Sequence, residues 1–129
     1  MKSRPIELDP LKIRGLRVHE ILKISTVGGV TEALQIVLPA GDSIIFTVWT
    51  DWSLLVENRV DSRLPSYLWP ESDFLVRSLG WDIPTGGLEV TQVALHLNSI
   101  DVLVGVDIEL HGHVMSIAST GGDLELSFS

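Results

Sequence analysis

Most of this chain alternates apolar and other residues with a period of two, the spacing that puts successive side chains on opposite faces of a β-strand. Leu34, Ile36 and Leu38 fall on one face while Gln35 and Val37 fall on the other. The same alternation groups Ile44, Phe46 and Val48, and then Trp52, Leu54 and Val56. Its longest instance sets Val102, Val104, Val106, Ile108 and Leu110 against Leu103, Gly105, Asp107 and Glu109, a core face against one that is wet at its far end. Glycine-bearing turns separate the runs: Pro39-Ala40-Gly41-Asp42, His111-Gly112 and Thr120-Gly121-Gly122-Asp123 each supply a residue able to take positive φ in a hairpin. Helical signals are poor by comparison. The best candidate is Glu71 to Leu79, between Pro70 and Gly80, long enough for one or two helical turns and equally readable as irregular structure.

A search for internal similarity sharpens this into a layout. Gly15-Leu-Arg-Val-His-Glu-Ile lies on Gly87-Leu-Glu-Val-Thr-Gln-Val at a shift of 72, and Leu34, Ile36 and Leu38 then meet Val106, Ile108 and Leu110. With small shifts Ile44 to Val48 resembles Val114 to Ile117, and Leu54-Leu55-Val56 resembles Leu126-Ser127-Phe128. The expected fold is all-β. About eight antiparallel strands form two similar four-strand meanders, packed as a sandwich or small barrel. Residues 1–12, with Pro5 and Pro10, read as an N-terminal arm; 15–56 is the first β repeat, 57–86 a connector without counterpart, and 87–128 the second repeat. Shared periodicity alone would align two β halves to some degree; the matched Gly15-Leu16 and Gly87-Leu88 openings favour duplication as the explanation. At 129 residues the chain suits a single domain with a real core.

Composition narrows the chemistry. With no cysteine, disulfides, thiolate zinc sites, iron–sulfur clusters and thiol catalysis are excluded. The first 18 residues lack the apolar region of a signal peptide, and no window approaches the roughly 20 uncharged apolar residues of a membrane-spanning helix, so a cytoplasmic chain without membrane partners is expected. Net charge is −8, and it is unevenly spread: residues 1–23 carry six Lys or Arg against three acids, whereas everything after Arg77 carries seven acids and no Lys or Arg. Such a surface repels nucleic acid, whose affinity comes mostly from cationic side chains, and favours a basic protein partner. The basic front and acidic back also allow association between copies.

No catalytic signature stands out. There is no Gly-x-Ser-x-Gly elbow, and Gly28-Gly29, Gly86-Gly87 and Gly121-Gly122 read as turns and not as phosphate-binding loops. Asp107 and Glu109 share a strand face at a spacing usable for acid–base work or calcium, but a polar outer face explains them at less cost. His111 and His113 flank Gly112 and could present two imidazoles to a metal, with His96, Asp107 or Glu109 as a third ligand; two solvated turn histidines are the simpler reading. No enzyme activity, cofactor or metal is therefore assigned.

The aromatic residues are unevenly placed. Seven of the eight lie between Phe46 and Trp81, mixed with acids and arginines. Trp and Tyr fill the core of a crossover, but they also anchor binding hot spots. Trp49 and Trp52 are the better interface candidates, because Trp49 falls on the face opposite Phe46 and Val48. The expected contact set is Trp49, Asp51, Trp52, Glu57, Asp61, Tyr67, Trp69, Glu71, Asp73, Trp81 and Asp82. Small size, acidity and no evident chemistry resemble the general character of immunity proteins, which neutralise toxic nucleases, although no family motif carries that likeness. A non-enzymatic acidic protein-binding module, of that inhibitor kind or another, is the first expectation. A small-molecule-binding barrel or sandwich with an aromatic-lined pocket is the alternative.

Overall fold

A computed structural model describes residues 7–79 and 83–129. Ten strands form: β1 Arg17–Val18, β2 Glu20–Thr26, β3 Thr31–Val37, β4 Ser43–Val48, β5 Leu54–Arg59, β6 Phe74–Ser78, β7 Leu88–Leu97, β8 Leu103–Leu110, β9 His113–Thr120 and β10 Asp123–Phe128. They make two five-stranded sheets, β6-β2-β3-β4-β5 and β1-β7-β8-β9-β10, and every pairing is antiparallel. Each sheet holds one four-strand meander with an extra strand against its first member. That extra strand comes from the chain just before the other meander. β1 leads into β2 yet pairs with β7; β6 precedes β7 yet pairs with β2.

The crossing at β1 is sharp. Val18 pairs with Leu88 in one sheet, while the next residue, His19, donates its N–H to Val37 O at 2.8 Å in the other. Gly87 makes this approach feasible, since its φ is +81° and a Cβ there would lie 2.9 Å from Val18 O. Beyond the crossing, the first turns of the two meanders match bond for bond. Thr26 N–H donates to Val30 O, Gly29 N–H to Thr26 O, and Thr26 Oγ1 accepts from Val30 N–H. Seventy-two positions on, Asn98, Val102 and Asp101 repeat the three bonds, with Asn98 Oδ1 as the acceptor.

The sheets pack over one core. Ile21, Leu34, Ile36, Ile44, Phe46 and Val56 from the first sheet meet Val90, Val106, Ile108, Leu110, Met115 and Ile117 from the second, each at most 1% exposed. The N-terminal arm is anchored where it is described: Leu8 N–H donates to Val56 O, Asp9 Oδ1 caps a 3-10 turn at Pro10–Ile13, and Ile13 is fully buried.

Four expectations change in detail. Strands number ten because β1 is cut from β2 by the sheet crossing, and because the connector supplies β6. The Glu71–Leu79 segment forms only a 3-10 turn, Glu71–Asp73, before β6 begins, since pairing with β2 offers its backbone a ladder that a short isolated helix lacks. The alternation over 102–110 holds only from Val106. Between the His96–Gly105 and Leu97–Leu103 pairs β8 advances two residues against one on β7, and this bulge at Val104 flips the parity so that Leu103, not Val102 or Val104, packs on the core. Trp52 likewise departs from the Leu54 and Val56 face: it occupies a turn at φ +67° and is 63% exposed.

Candidate functional site

The two sheets differ on their outer faces. On the second, β8 keeps Asp107 and Glu109 at the surface, alternating with core positions. On the first, β3, β4 and β5 are buried on both sides, because residues 60–74 lie across the outer face. Ile24, Ala33, Ile45 and Leu68 form a second small core there, with Leu64, Tyr67 and Phe74 packed against it.

This cover is stitched down by polar groups. Gln35 Nε2 donates to Ser43 Oγ at 2.9 Å, and Ser43 Oγ donates to the backbone oxygen of Asp61 at 2.6 Å, so two buried side chains of β3 and β4 tie down the start of the connector. Asp61 Oδ1 accepts from Arg63 N–H at 3.1 Å and shapes the turn. Further along, the Tyr67 hydroxyl donates to Glu57 Oε1 at 2.8 Å, and Arg59 Nη1 stands 3.7 Å from Glu57 Oε2. Burial, and then the bond to and charge of Glu57, hold the Tyr67 hydroxyl well above the ordinary tyrosine range, so Tyr67 stays a neutral donor.

Beside Tyr67 a cleft of about 260 Å³ opens where β3 begins and β4 ends. Thr31, Thr47 and Leu55 line it on the connector side together with Tyr67 and Leu68. Glu32, Val48 and the β9–β10 turn, Gly122–Leu124, line the other, with Trp49 and Thr50 at the strand end. The cleft thus wraps the end of the first sheet and faces the hairpin of the second.

Trp49 and Trp52 bracket a tight turn. Trp49 N–H donates to Ser53 O and Trp52 N–H to Trp49 O, both at 2.9 Å, while Asp51 Oδ1 accepts from the N–H and hydroxyl of Ser53. Asp51 is therefore a turn cap. The Trp52 carbonyl accepts from Ser119 Oγ at 2.6 Å, and its indole lies over Gly122, where a Cβ would come within 3.1 Å of the indole nitrogen. This turn joins the two sheets at their common end. Trp69, 79% exposed, projects from the connector, followed by Glu71 and Asp73, both exposed.

Of the expected contact residues, Trp49 and Tyr67 line one cleft and Glu57 holds Tyr67 in place. Asp51 and Asp61 serve local turns; Trp52, Trp69, Glu71 and Asp73 lie on the surface and do not line the cleft. Trp81 and Asp82 lie outside the described residues. Glu32, Thr47 and Asp123 were missed by the sequence reading, which followed the aromatic cluster. A signal existed: the unbroken apolar runs Ile44-Ile45-Phe46 and Leu54-Leu55-Val56 mark strands covered on both faces, and such a cover creates a seam.

The wet face of the second sheet holds one more constellation. His96 lies over Gly105, and its Nε2 is 2.7 Å from Asp107 Oδ2, while Ser116 also bonds that carboxylate. The carboxylate stands between hydroxyl and imidazole. Nucleophilic catalysis requires the imidazole in the middle, so this is not a triad. His111 and His113 sit at the β8–β9 tip, five residues along β8 from Gly105, the partner of His96, a run of roughly 17 Å at strand rise. Among the described residues no three potential ligands gather for a metal, and no helix is long and apolar enough to cross a membrane. Compared with protein-family models, curated proteins and solved structures, the chain matches none.

Proposed function

We propose that this chain is an acidic protein-binding module whose contact surface is carried by Trp52 and Trp69, and that its partner is basic. The observation behind this reading is the exposure of those two tryptophans, 63% and 79%, the largest side chains among exposed apolar residues that also include Val27, Val60 and Ile100. Trp left in water is costly, and it is the residue type that most often anchors a protein interface. Asp51 beside Trp52, and Glu71 and Asp73 beside Trp69, are exposed and would meet cationic groups around each anchor. With a net charge of −8 the approach would be steered. Inhibition of a basic enzyme, in the manner of an immunity protein, is the specific form this reading takes.

The test is capture of a partner from the native host by the tagged chain. The expected result is a protein of high isoelectric point, bound roughly tenfold more weakly at about 300 mM than at about 50 mM salt because the screening length shortens, and lost with Trp52→Ala combined with Trp69→Ala. Asp51 is left unchanged, because its turn-capping role would confound the outcome. Recovery of no protein, or recovery indifferent to both tryptophans and to salt, contradicts the reading.

A further inference from the structure

We infer that the cleft at the end of the first sheet is a binding site for an organic cation, an ammonium or guanidinium group seated between Trp49, Tyr67, Glu32 and Asp123. Size comes first. At about 260 Å³ the cleft is smaller than the roughly 300–1,000 Å³ of sites for drug-sized ligands and suits a single head group.

Its lining then selects the charge. Two carboxylates, Glu32 and Asp123, border the cleft and no Lys, Arg or His does, so an anion would be repelled. Neither carboxylate forms an ion pair with a described residue. A neutral apolar guest would cover the half-buried Glu32 and strip its water without compensation, whereas a cation compensates it. A metal ion is a poor occupant, because no three ligating side chains gather among the described residues.

The two aromatic rings favour an organic cation over a bare one. Indole and phenol faces attract alkylammonium and guanidinium groups through their quadrupoles, and both groups shed water more readily than a small metal ion. The Tyr67 hydroxyl is held by its bond to Glu57, and the Trp49 backbone by the Trp49–Ser53 turn. The source of the cation can be a free amine or the Lys or Arg side chain of a protein. This inference does not rest on the Trp52 and Trp69 surface, and either can fail while the other stands.

The test uses the full chain and four probes at constant ionic strength: choline, its neutral isostere 3,3-dimethylbutan-1-ol, arginine amide blocked at its amino group, and acetyl-Gly-Arg-Gly-amide. The indole N–H resonance of Trp49, assigned with Trp49→Phe, is the readout. A saturable shift with choline or the arginine probes, absent with the alcohol and weakened about tenfold by Glu32→Gln or Asp123→Asn, is expected. Tighter binding of the two arginine probes than of choline identifies a protein side chain as the source; tighter binding of choline identifies a free small-molecule ammonium. Asp123→Asn, in an exposed turn, keeps the test sound if Glu32→Gln perturbs folding. No saturable shift with any cation, or equal binding of the alcohol, overturns the inference.

Discussion

Each sheet contains a four-strand meander, and the two carry different outer surfaces. In the second, β8 alternates buried and half-exposed residues and leaves its outer face to water; in the first, β3, β4 and β5 are buried on both sides under residues 60–74. An antiparallel sheet is stable with one wet face, so the cover is not required by strand pairing. What it adds is a second small core, a polar tether through Gln35 and Ser43, and a seam at which Trp49 and Tyr67 meet the hairpin of the other sheet. The difference places the unusual side chains on the covered half.

The largest effect should come from the covered face itself. Ile45, fully buried beneath the connector, is expected to cost about 2–5 kcal/mol on replacement by Ala, whereas Glu109→Ala on the wet face should stay within about 0.5 kcal/mol. Urea unfolding of both variants measures the contrast. Equal, small effects would mean that the connector does not seal the first sheet. Next comes the tether. Ser43→Ala removes the acceptor of Gln35 Nε2 and the donor to Asp61 O in a buried setting, which should cost about 1–3 kcal/mol and speed proteolysis within residues 60–74 before any cut elsewhere.

A smaller effect tests the joint between the halves. Gly122→Ala forces a residue with a Cβ to φ +93° and presses it against the Trp52 indole, for a loss of about 1–2 kcal/mol. In a Trp52→Ala background the steric part should vanish and the backbone part remain, so a double-mutant cycle with no coupling would contradict the packing. The smallest effect lies on the wet face. Burial alone would raise the Asp107 carboxyl, but the bonds from Ser116 and His96 outweigh it and hold it below the usual aspartate value. Its folded pKa being depressed, Asp107 stabilises the fold above the unfolded value of about 3.9 and loses that contribution as pH falls through the folded one. Asp107→Asn should therefore flatten the acid limb of the stability curve below about pH 4, slightly, because the pair is solvent-screened.

Much of the fold was legible from period and turns. The alternation at Leu34, Ile36, Ile44 and Phe46 identifies core positions, and the turns at Gly41, Gly112 and Gly121-Gly122 separate the strands in which they fall. Two kinds of information were not legible. The sheet crossing at His19 depends on which partner each half of a continuous run finds, and period alone does not carry that. The bulge at Val104 breaks parity through pairing with β7 and leaves no mark in the β8 sequence. Of the candidate cleft, the aromatic cluster contains two lining residues, Trp49 and Tyr67. The acids were harder to place, since a short-range turn cap such as Asp51 and a cleft carboxylate such as Glu32 look alike in sequence.

Oxidative footprinting of the chain alone and with its captured partner reads both halves in one experiment, because Trp52 and Trp69 report on the covered half and His96 on the wet face. The account predicts rapid oxidation of both tryptophans in the free chain, strong protection of both in the complex, and an unchanged rate at His96. Protection of His96 with Trp52 and Trp69 still open would place the contact on the wrong sheet and contradict it.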